Sequence, residues 1–360
     1  MSAAEQRPVD WKLHAERRRE LAARHPLRYL FLEVTRRCNL SCAYCGSECT
    51  RRARRREMGT EGWLRAIRQV AEDFDPKEVM IAVTGGEPLL RPDIFEIFAE
   101  LRAHGFPFGM VSNGTVIRRT MARRIAESGI GSISLSLDAP DAINDELRGE
   151  GAAAKVERAI GALRQADYKG KLEIISTITR PVIPHLAAMR RRVARLRVPE
   201  WRMAPVMPIG RAAGRADLLL SPAEVKVLLD FLVAARRDGL KPVPSFSEEG
   251  FLGDEYEGVV RPYLYRCNAG ITIAGILWDG RIGACPELAE CFVQGHIEKD
   301  RFSEVWRTGY GQLRDRSWAC HGACDGCQVW APCAGGALHL YRDMSSSPLR
   351  CFHLMLGPPG

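Results

Sequence analysis

The feature that most constrains this chain is a group of three cysteines, Cys38, Cys42 and Cys45, on one short loop. The loop follows an apolar run, Tyr29–Thr35, whose length and composition predict a buried strand. Three thiolates this close together can bind three irons of a cubane 4Fe-4S cluster and leave the fourth iron without a protein ligand. An open metal position is typical of a reacting centre, as in catalytic zinc sites. A zinc site or a surface group of cysteines is the alternative interpretation.

A second apolar run, 78–84, ends in Gly85-Gly86-Glu87-Pro88. Glycines at a strand end let the backbone approach a ligand closely. A carboxylate at the same place can accept hydrogen bonds from an ammonium group. The turn lies one strand–helix unit after the cysteine loop, so we expect the two to lie side by side.

Strands alternate with helical segments over the first 212 residues. Six runs have the length and apolar character of buried strands, at 29–35, 78–84, 107–112, 132–137, 172–178 and 201–206. This alternation predicts an α/β fold with a parallel sheet and right-handed crossovers. Functional residues are then expected at the C-terminal strand ends, where the sequence places Cys38, Gly86, Asn113, Asp138 and Arg211.

The C-x3-C-x2-C spacing, with Tyr44 before the last cysteine, and the Gly-Gly-Glu-Pro turn together resemble the radical S-adenosylmethionine (SAM) superfamily. The resemblance implies a partial (β/α)6 TIM-like barrel over about residues 28–212. It also implies that Cys38, Cys42 and Cys45 hold a 4Fe-4S cluster whose open iron binds SAM. Electron transfer would cleave SAM reductively to a 5'-deoxyadenosyl radical, which abstracts hydrogen from a substrate.

The same resemblance implies a set of SAM-binding residues. Tyr44 would lie near the adenine, the Gly85–Pro88 turn would bind the methionine amino group, and the Ser-Leu-Asp strand end would contact SAM. Arg148 would meet the SAM carboxylate, since a guanidinium suits that geometry. For the polar residues the alternative is a helix or turn cap. The full set is Tyr44, Gly85, Gly86, Glu87, Pro88, Asn113, Ser136, Asp138 and Arg148.

Eight further cysteines lie between 267 and 351. The Asp279-Gly280 turn signal predicts a β-hairpin with cysteines at both ends, and the rest of the region is a cysteine-rich knot. The region, about 264–352, resembles the SPASM extension of radical SAM enzymes, which houses auxiliary 4Fe-4S clusters. Short phrases such as Gly250-Phe-Leu-Gly resemble a SPASM subgroup encoded beside small lipoproteins. The resemblance implies that one closed cluster is bound by Cys324, Cys327, Cys333 and Cys351.

A second auxiliary cluster is less completely specified. Cys267 and Cys285 match two of its ligands, but Ala337 stands where the family has a further cysteine. Cys320 and Cys291 are the unassigned thiols that could replace it, and we expect Cys320 rather than Cys291 to bind. One or two auxiliary 4Fe-4S clusters are therefore expected, with two or three clusters in all.

The domain organisation follows from these segments. We expect a basic, solvated N-terminal helix (1–27), a radical SAM partial barrel (28–215), a connecting helix and loop (216–262) and a small α+β SPASM-like domain (263–353). In the connecting segment, Ser221 and Gly239 bound a long amphipathic helix. The acidic stretch 245–256 is expected to form a loop over the barrel mouth.

Composition indicates the cellular location, the role of the cysteines and the charge of the partners. Twelve cysteines with no signal peptide predict metal binding in the cytoplasm rather than disulfides. No segment has the length of apolar run that a membrane span needs. The net charge of +8 and the basic run 51–56 permit an anionic substrate or partner, although we expect no nucleic acid. Cys49 is expected to be structural.

The functional hypothesis is a maturase-like radical SAM enzyme that acts on a peptide or protein, reduced by a donor such as flavodoxin or ferredoxin. The alternative enzyme is a tetrapyrrole-related decarboxylase, in which the basic loop could meet propionates. A third hypothesis, a non-catalytic iron–sulfur scaffold, requires both cysteine-loop and glycine-turn motifs to be vestigial, yet both are intact.

Overall fold

The computed structural model describes residues 9–52 and 55–357. Its frame is six parallel strands in the order β1 to β6, each reached from the one before by a crossover that contains a helix. Alternate strand residues such as Leu30, Leu32 and Val34 are apolar and buried, whereas others, such as Glu33, Ser134 and Glu173, are polar and also buried. The strands are β1 (Tyr29–Thr35), β2 (Met80–Gly85), β3 (Phe108–Ser112), β4 (Ser132–Ser136), β5 (Lys171–Ile178) and β6 (Glu200–Pro205).

All six predicted strands are present, with ends that differ by at most two residues from the sequence-based ranges. The α/β fold with a parallel sheet is therefore confirmed. The helices before and between these strands are α1 (Trp11–Arg24), α2 (Thr60–Asp73), α3 (Ile94–Ala103), α4 (Arg119–Glu127), α5 (Asp141–Arg148), α6 (Ala152–Gln165) and α7 (Leu186–Arg195).

The sheet continues beyond β6 into the connecting segment. Helix α8 (Pro222–Arg237) begins at a capping box, in which Ser221 and Glu224 each satisfy a backbone N–H of the other. Strand β7 (Val243–Phe246) then pairs in parallel with β6. The expected loop at 245–256 is therefore wrong at its first two residues, because they complete an edge strand.

The cysteine-rich region joins the opposite edge of the same sheet. Strand β8 (Ile273–Ile276) pairs in parallel with β1 and antiparallel with β9 (Arg281–Gly283), which confirms the predicted hairpin. β10 (Gly295–His296) pairs with β9, and the sheet remains open between β10 and β7. The remaining helices of the region are short: α9 (Phe302–Thr308), α10 (Gly311–Arg314), α11 (Trp330–Cys333) and α12 (Phe352–Leu356).

Helix α1 packs on this region and is not simply solvated, which corrects the expectation for the N-terminal helix. The His14 ring lies 2.9 Å from the Tyr265 carbonyl oxygen and is buried, and Trp11 contacts Phe251 edge to face. Residues 1–8 of that expected segment lie outside the described residues. In the described part of the chain, none of the helices combines the length and apolar character that crossing a bilayer requires.

Candidate active site

The C-terminal ends of the parallel strands border one open cavity of ≈ 490 Å³. Parallel strands bring their carboxyl ends to one edge, so residues far apart in sequence meet there. Two further walls come from the segment after β7 and from the β9 side of the hairpin. Of the residues expected from the sequence, the cavity is lined by Cys38, Cys42, Tyr44, Cys45, Gly85, Gly86, Asn113, Ser136, Arg148, Arg211 and Cys285.

The three-cysteine loop is held in place at both ends. The backbone N–H of Cys38 donates to the Thr50 carbonyl at 2.8 Å. The amide of Asn113, at the end of β3, lies 3.6 Å from the Cys38 thiol. Burial raises the pKa of Cys38 to about 11, whereas a hydrogen bond from Cys49 lowers the pKa of Cys45 to about 6. Cys49 is therefore in contact with the loop, where its own thiol stays protonated.

Arg211 fastens the other side of the same loop. Its guanidinium donates to the carbonyls of Cys42 and Cys49 at 2.7 and 2.9 Å, and its backbone N–H donates to the Cys45 carbonyl at 3.1 Å. Gly210 makes this approach feasible, because a Cβ there would lie 2.4 Å from the Cys45 carbonyl oxygen and its φ is +52°. The segment after β6 thus holds the cysteine loop through main-chain contacts.

The glycine turn after β2 packs tightly on the segment after β1. A Cβ on Gly85 would lie 2.2 Å from the Thr35 carbonyl oxygen, and one on Gly86 would lie 2.3 Å from that of Arg37. Both positions therefore require glycine. Pro88 is buried and begins a single 3-10 turn, Pro88–Leu90.

Glu87 lies beneath the cavity wall, with no exposed surface. Its carboxylate accepts hydrogen bonds from the Asn113 backbone N–H at 2.7 Å, the Ser112 hydroxyl at 2.9 Å and the Leu89 backbone N–H at 3.2 Å. Burial raises its pKa to about 7, although these donors oppose the shift. The carboxylate thereby ties the end of β2 to the end of β3.

Tyr44, Asp138 and Arg148 form one buried network. The Tyr44 hydroxyl donates to Asp138, and an Arg148 Nη donates to both of them at 2.8 Å. The other Asp138 oxygen accepts from the Thr177 backbone N–H at 2.8 Å. Arg148 and Tyr44 border the cavity, whereas Asp138 is turned away from it. The Nε of Arg148 is buried and has no hydrogen-bond partner among the described residues.

Further polar side chains line the same cavity. Arg202 makes a bidentate pair with Glu173 at 2.6 and 2.7 Å. Glu248 pairs with His339 at 3.2 Å, with both side chains about 12–13% exposed. Although burial opposes it, Glu248 raises the pKa of His339 to about 9.

Glu287 lines the same cavity, close to Gly46. Its carboxylate makes no hydrogen bond or ion pair with residues 9–52 or 55–357. Sequence reasoning missed Glu248, Glu287 and His339. Two sequence signals could have found them: Glu248 lies in the acidic stretch 245–256, and Glu287 follows Cys285 by two positions.

The second group of cysteines forms a separate centre. Cys324, Cys327, Cys333 and Cys351 all border one small cavity, away from the one described above. Cys320 is exposed, with its thiol 3.9 Å from the Cys324 carbonyl oxygen. Cys291 is exposed, with its thiol 3.9 Å from the Arg342 carbonyl oxygen.

Both groups of thiols suit an iron–sulfur cluster, but they differ in how many of its irons they can bind. Three thiols at the strand ends face an open cavity, which leaves room for a fourth, exchangeable ligand. The four thiols of the second centre can close all iron positions.

Models of known families match two parts of the chain. Residues 32–190 match the radical SAM superfamily, and residues 267–328 match an iron–sulfur cluster-binding domain, SPASM. The first match spans β1 to α7, and the second begins at Cys267.

Individual relatives cover most of the chain. It is 29% identical over 339 residues to an AdoMet-dependent heme synthase of Nitratidesulfovibrio vulgaris, covering 88% of this chain and 90% of the relative. It is 30% identical over 317 residues to the mycofactocin maturase MftC of Mycobacterium ulcerans, covering 85% and 81%. Among solved structures, anSMEcpe with bound AdoMet and a Cp18Cys peptide superposes with a TM-score of 0.69 at 20% identity, covering 90% and 92%.

Proposed function

The chain belongs to the radical SAM superfamily and contains a SPASM iron–sulfur domain, and from this premise we propose that it is a maturase-like enzyme acting on a peptide or protein. Bound cluster and SAM supply a 5'-deoxyadenosyl radical, the species that abstracts hydrogen from the substrate. The protein's own contribution is to hold these groups, to position the substrate and to exclude water.

We assign the SAM-binding cluster to Cys38, Cys42 and Cys45. Fixed carbonyl contacts from Arg211 and the nearby amide of Asn113 support this, because a loop held in one geometry loses little entropy on metal binding. SAM itself is assigned to the surface formed by Tyr44, Gly85, Gly86, Glu87, Pro88, Asn113, Ser136, Asp138 and Arg148.

These residues divide into two roles in the proposal. Ser136, Asn113 and Arg148 border the cavity and are placed to contact SAM directly. Glu87 and Asp138 are buried behind them and act as positioning residues through their hydrogen bonds. The sequence predicted that the Glu87 carboxylate binds the SAM ammonium directly. We propose instead that Glu87 acts indirectly, by positioning the residues that contact SAM.

The observation that most favours a peptide substrate is the charge balance of the cavity. Its three arginines already have partners: Arg148 pairs with Asp138, Arg202 with Glu173, and Arg211 with main-chain carbonyls. Among the described residues that line the cavity, the carboxyl group without an ion-pair or hydrogen-bond partner is that of Glu287, whose pKa is raised by burial. Such a wall suits peptide N–H groups or a cationic side chain better than carboxylates, which it would repel.

The second candidate is a tetrapyrrole-related decarboxylase, and the relative named a heme synthase favours it. A propionate-bearing substrate would need cationic partners at the cavity. The exposed Arg51 and Arg52 lie beside the cysteine loop and could supply them. Ala53 and Arg54 of the same basic run lie outside the described residues.

The electron donor is proposed as a flavodoxin or ferredoxin. Such donors are acidic one-electron carriers, and the exposed Arg51 and Arg52 adjoin Thr50, whose carbonyl binds the Cys38 backbone. We also propose a cytoplasmic location, where thiols remain reduced.

The test presents both substrate classes to the same reconstituted protein. Protein, SAM and dithionite are incubated without oxygen, either with synthetic peptides encoded beside the gene or with iron coproporphyrin III, and the products are identified by mass spectrometry. We expect a peptide of changed mass, in an amount that corresponds to the 5'-deoxyadenosine released. Loss of CO2 from the porphyrin with no peptide change would instead establish the decarboxylase.

A matched variant tests the charge argument. Glu287→Gln removes the unpaired carboxylate with little change in shape, whereas Glu290→Gln alters an exposed carboxylate that does not border the cavity. The first change should alter peptide KM, and the second should not.

A further inference from the structure

The first auxiliary position, at Cys267 and Cys285, has a donor set that does not suit a 4Fe-4S cluster. A protein-bound cluster of this kind ordinarily takes four thiolates. Two of the region's eight cysteines lie here, and Ala337, buried at 1% exposure, stands where a third was expected. A methyl group cannot bind iron.

The candidate replacement thiols point elsewhere. The Cys291 thiol lies against the Arg342 carbonyl, and the Cys320 thiol lies against the Cys324 carbonyl, beside the four-cysteine centre. Both side chains are exposed. The four remaining thiols of the region share their own cavity. No third thiol of the region therefore completes the position in the described structure.

A buried cation joins the main chain at Cys267 to the main chain next to Ala337. The Arg316 guanidinium donates to the Gly336 carbonyl at 2.8 Å and to the Cys267 carbonyl at 3.1 Å, and it also contacts the Cys267 thiol. The side chain is 4% exposed. These contacts give the buried guanidinium its hydrogen-bond partners without a metal cluster.

Of these two cysteines, whose charges interact, Cys285 alone borders the main cavity. Cys285 lines the main cavity together with Glu287 and His339, whereas Cys267 is buried at 7% exposure and does not line it. A bound cluster would be expected to be bordered by all of its ligands, as the four-cysteine centre is.

We infer that this chain binds two clusters, one at the strand ends and one at the four-cysteine centre, and that Arg316 replaces the first auxiliary cluster. The inference rests on the proposed assignment of the other two clusters. Cys267 is then a structural partner of Arg316, and Cys285 is a free thiol on the substrate cavity. The space beside Cys285 is consequently available to substrate.

Iron counting with Mössbauer spectroscopy on anaerobically reconstituted protein tests this. Wild-type protein should hold about eight irons in two 4Fe-4S clusters, and Cys267→Ser with Cys285→Ser should leave that number unchanged. The matched variant Cys324→Ser with Cys327→Ser should lower it to about four. A wild-type content of about twelve, reduced by about four in the first variant, would overturn the inference.

Thiol labelling of the wild-type holoprotein gives a second measurement that does not depend on variant folding. Cys285 and Cys327 are both half-buried, and burial raises the pKa of the Cys285 thiol, so the maleimide reactivity of each is compared before and after iron is removed with a chelator. Cys285 should react at the same rate in both states, whereas Cys327 should react only after iron removal, with exposed Cys291 as the positive control. A Cys285 thiol that becomes reactive only after iron removal would contradict the inference. Failure of the proposed function appears separately, as absence of 5'-deoxyadenosine, and does not alter these counts.

Discussion

Glu87 is expected to act on SAM binding through the protein, and Glu87→Gln tests this. The carboxylate is fully buried and accepts from two backbone N–H groups, those of Asn113 and Leu89, one at each oxygen. Glutamine keeps one oxygen and replaces the other with an amide nitrogen. Whichever way the amide is turned, an N–H then faces another N–H.

The expected loss of unfolding free energy follows from these two facing N–H groups. One buried backbone donor is left without an acceptor, which costs about 1–3 kcal/mol of unfolding free energy. Both affected N–H groups lie at the strand ends beside the cysteine loop, and the Asn113 side chain lies against the Cys38 thiol. We therefore expect weaker SAM binding, by up to about tenfold for each 1.4 kcal/mol transmitted to the site. Iron content should not change.

The assay is denaturant unfolding together with calorimetric titration of SAM, at pH 8 where the carboxylate is ionised. Glu96→Gln, an exposed change on α3, is the matched control and should leave both quantities unaltered. An unchanged SAM dissociation constant in Glu87→Gln would refute the role altogether. Weakened SAM binding with unchanged stability would refute the indirect role and favour direct contact.

Three further expectations concern the same site. Asp138→Asn leaves Arg148 buried without its anion and should lower the unfolding free energy by about 3–5 kcal/mol, measured in urea; a loss below about 0.5 kcal/mol would contradict the pairing. The pKa of His339 is about 9, against an ordinary value of 6.5. Its pairing with Glu248 therefore stabilises the folded protein fully below pH 6.5, and this stabilisation is lost as the pH rises through 9. The melting temperature should fall between pH 6.5 and 9, and the fall should be smaller in Glu248→Gln. Arg211→Lys should speed iron loss to a chelator, since lysine cannot bind two loop carbonyls in a fork; an unaltered rate would exclude that role.

The sequence predicted the parallel core well, because buried strands of a parallel sheet are continuous apolar runs bounded by glycine or polar residues. β1 was placed at its observed ends for that reason. β7 was missed because Pro244 interrupts its pattern, and proline is tolerated there at the edge of the parallel part. Helix α5 was missed because it is only eight residues long, although Ile143 and Leu147 lie one helical turn apart in it.

Within the site, local motifs were predictable and long-range pairings were not. The cysteine loop and the glycine turn each lie in one short segment, so spacing alone indicates them. The Glu248–His339 pair joins residues 91 positions apart, and no periodic pattern in the sequence predicts such a contact. The burial of Glu87 also depends on β3, which brings Asn113 above it. Its sequence position therefore predicted a place at the strand ends but not that the carboxylate is turned toward the end of β3.

The central claim is that the three-cysteine loop supports reductive cleavage of SAM. Anaerobic protein reduced with dithionite in the presence of SAM should release 5'-deoxyadenosine and methionine, measured by liquid chromatography with mass spectrometry. Cys38→Ala, Cys42→Ala and Cys45→Ala combined should abolish that release and remove about four irons, while the four-cysteine centre keeps its own. Continued release of 5'-deoxyadenosine by the triple variant would contradict the account.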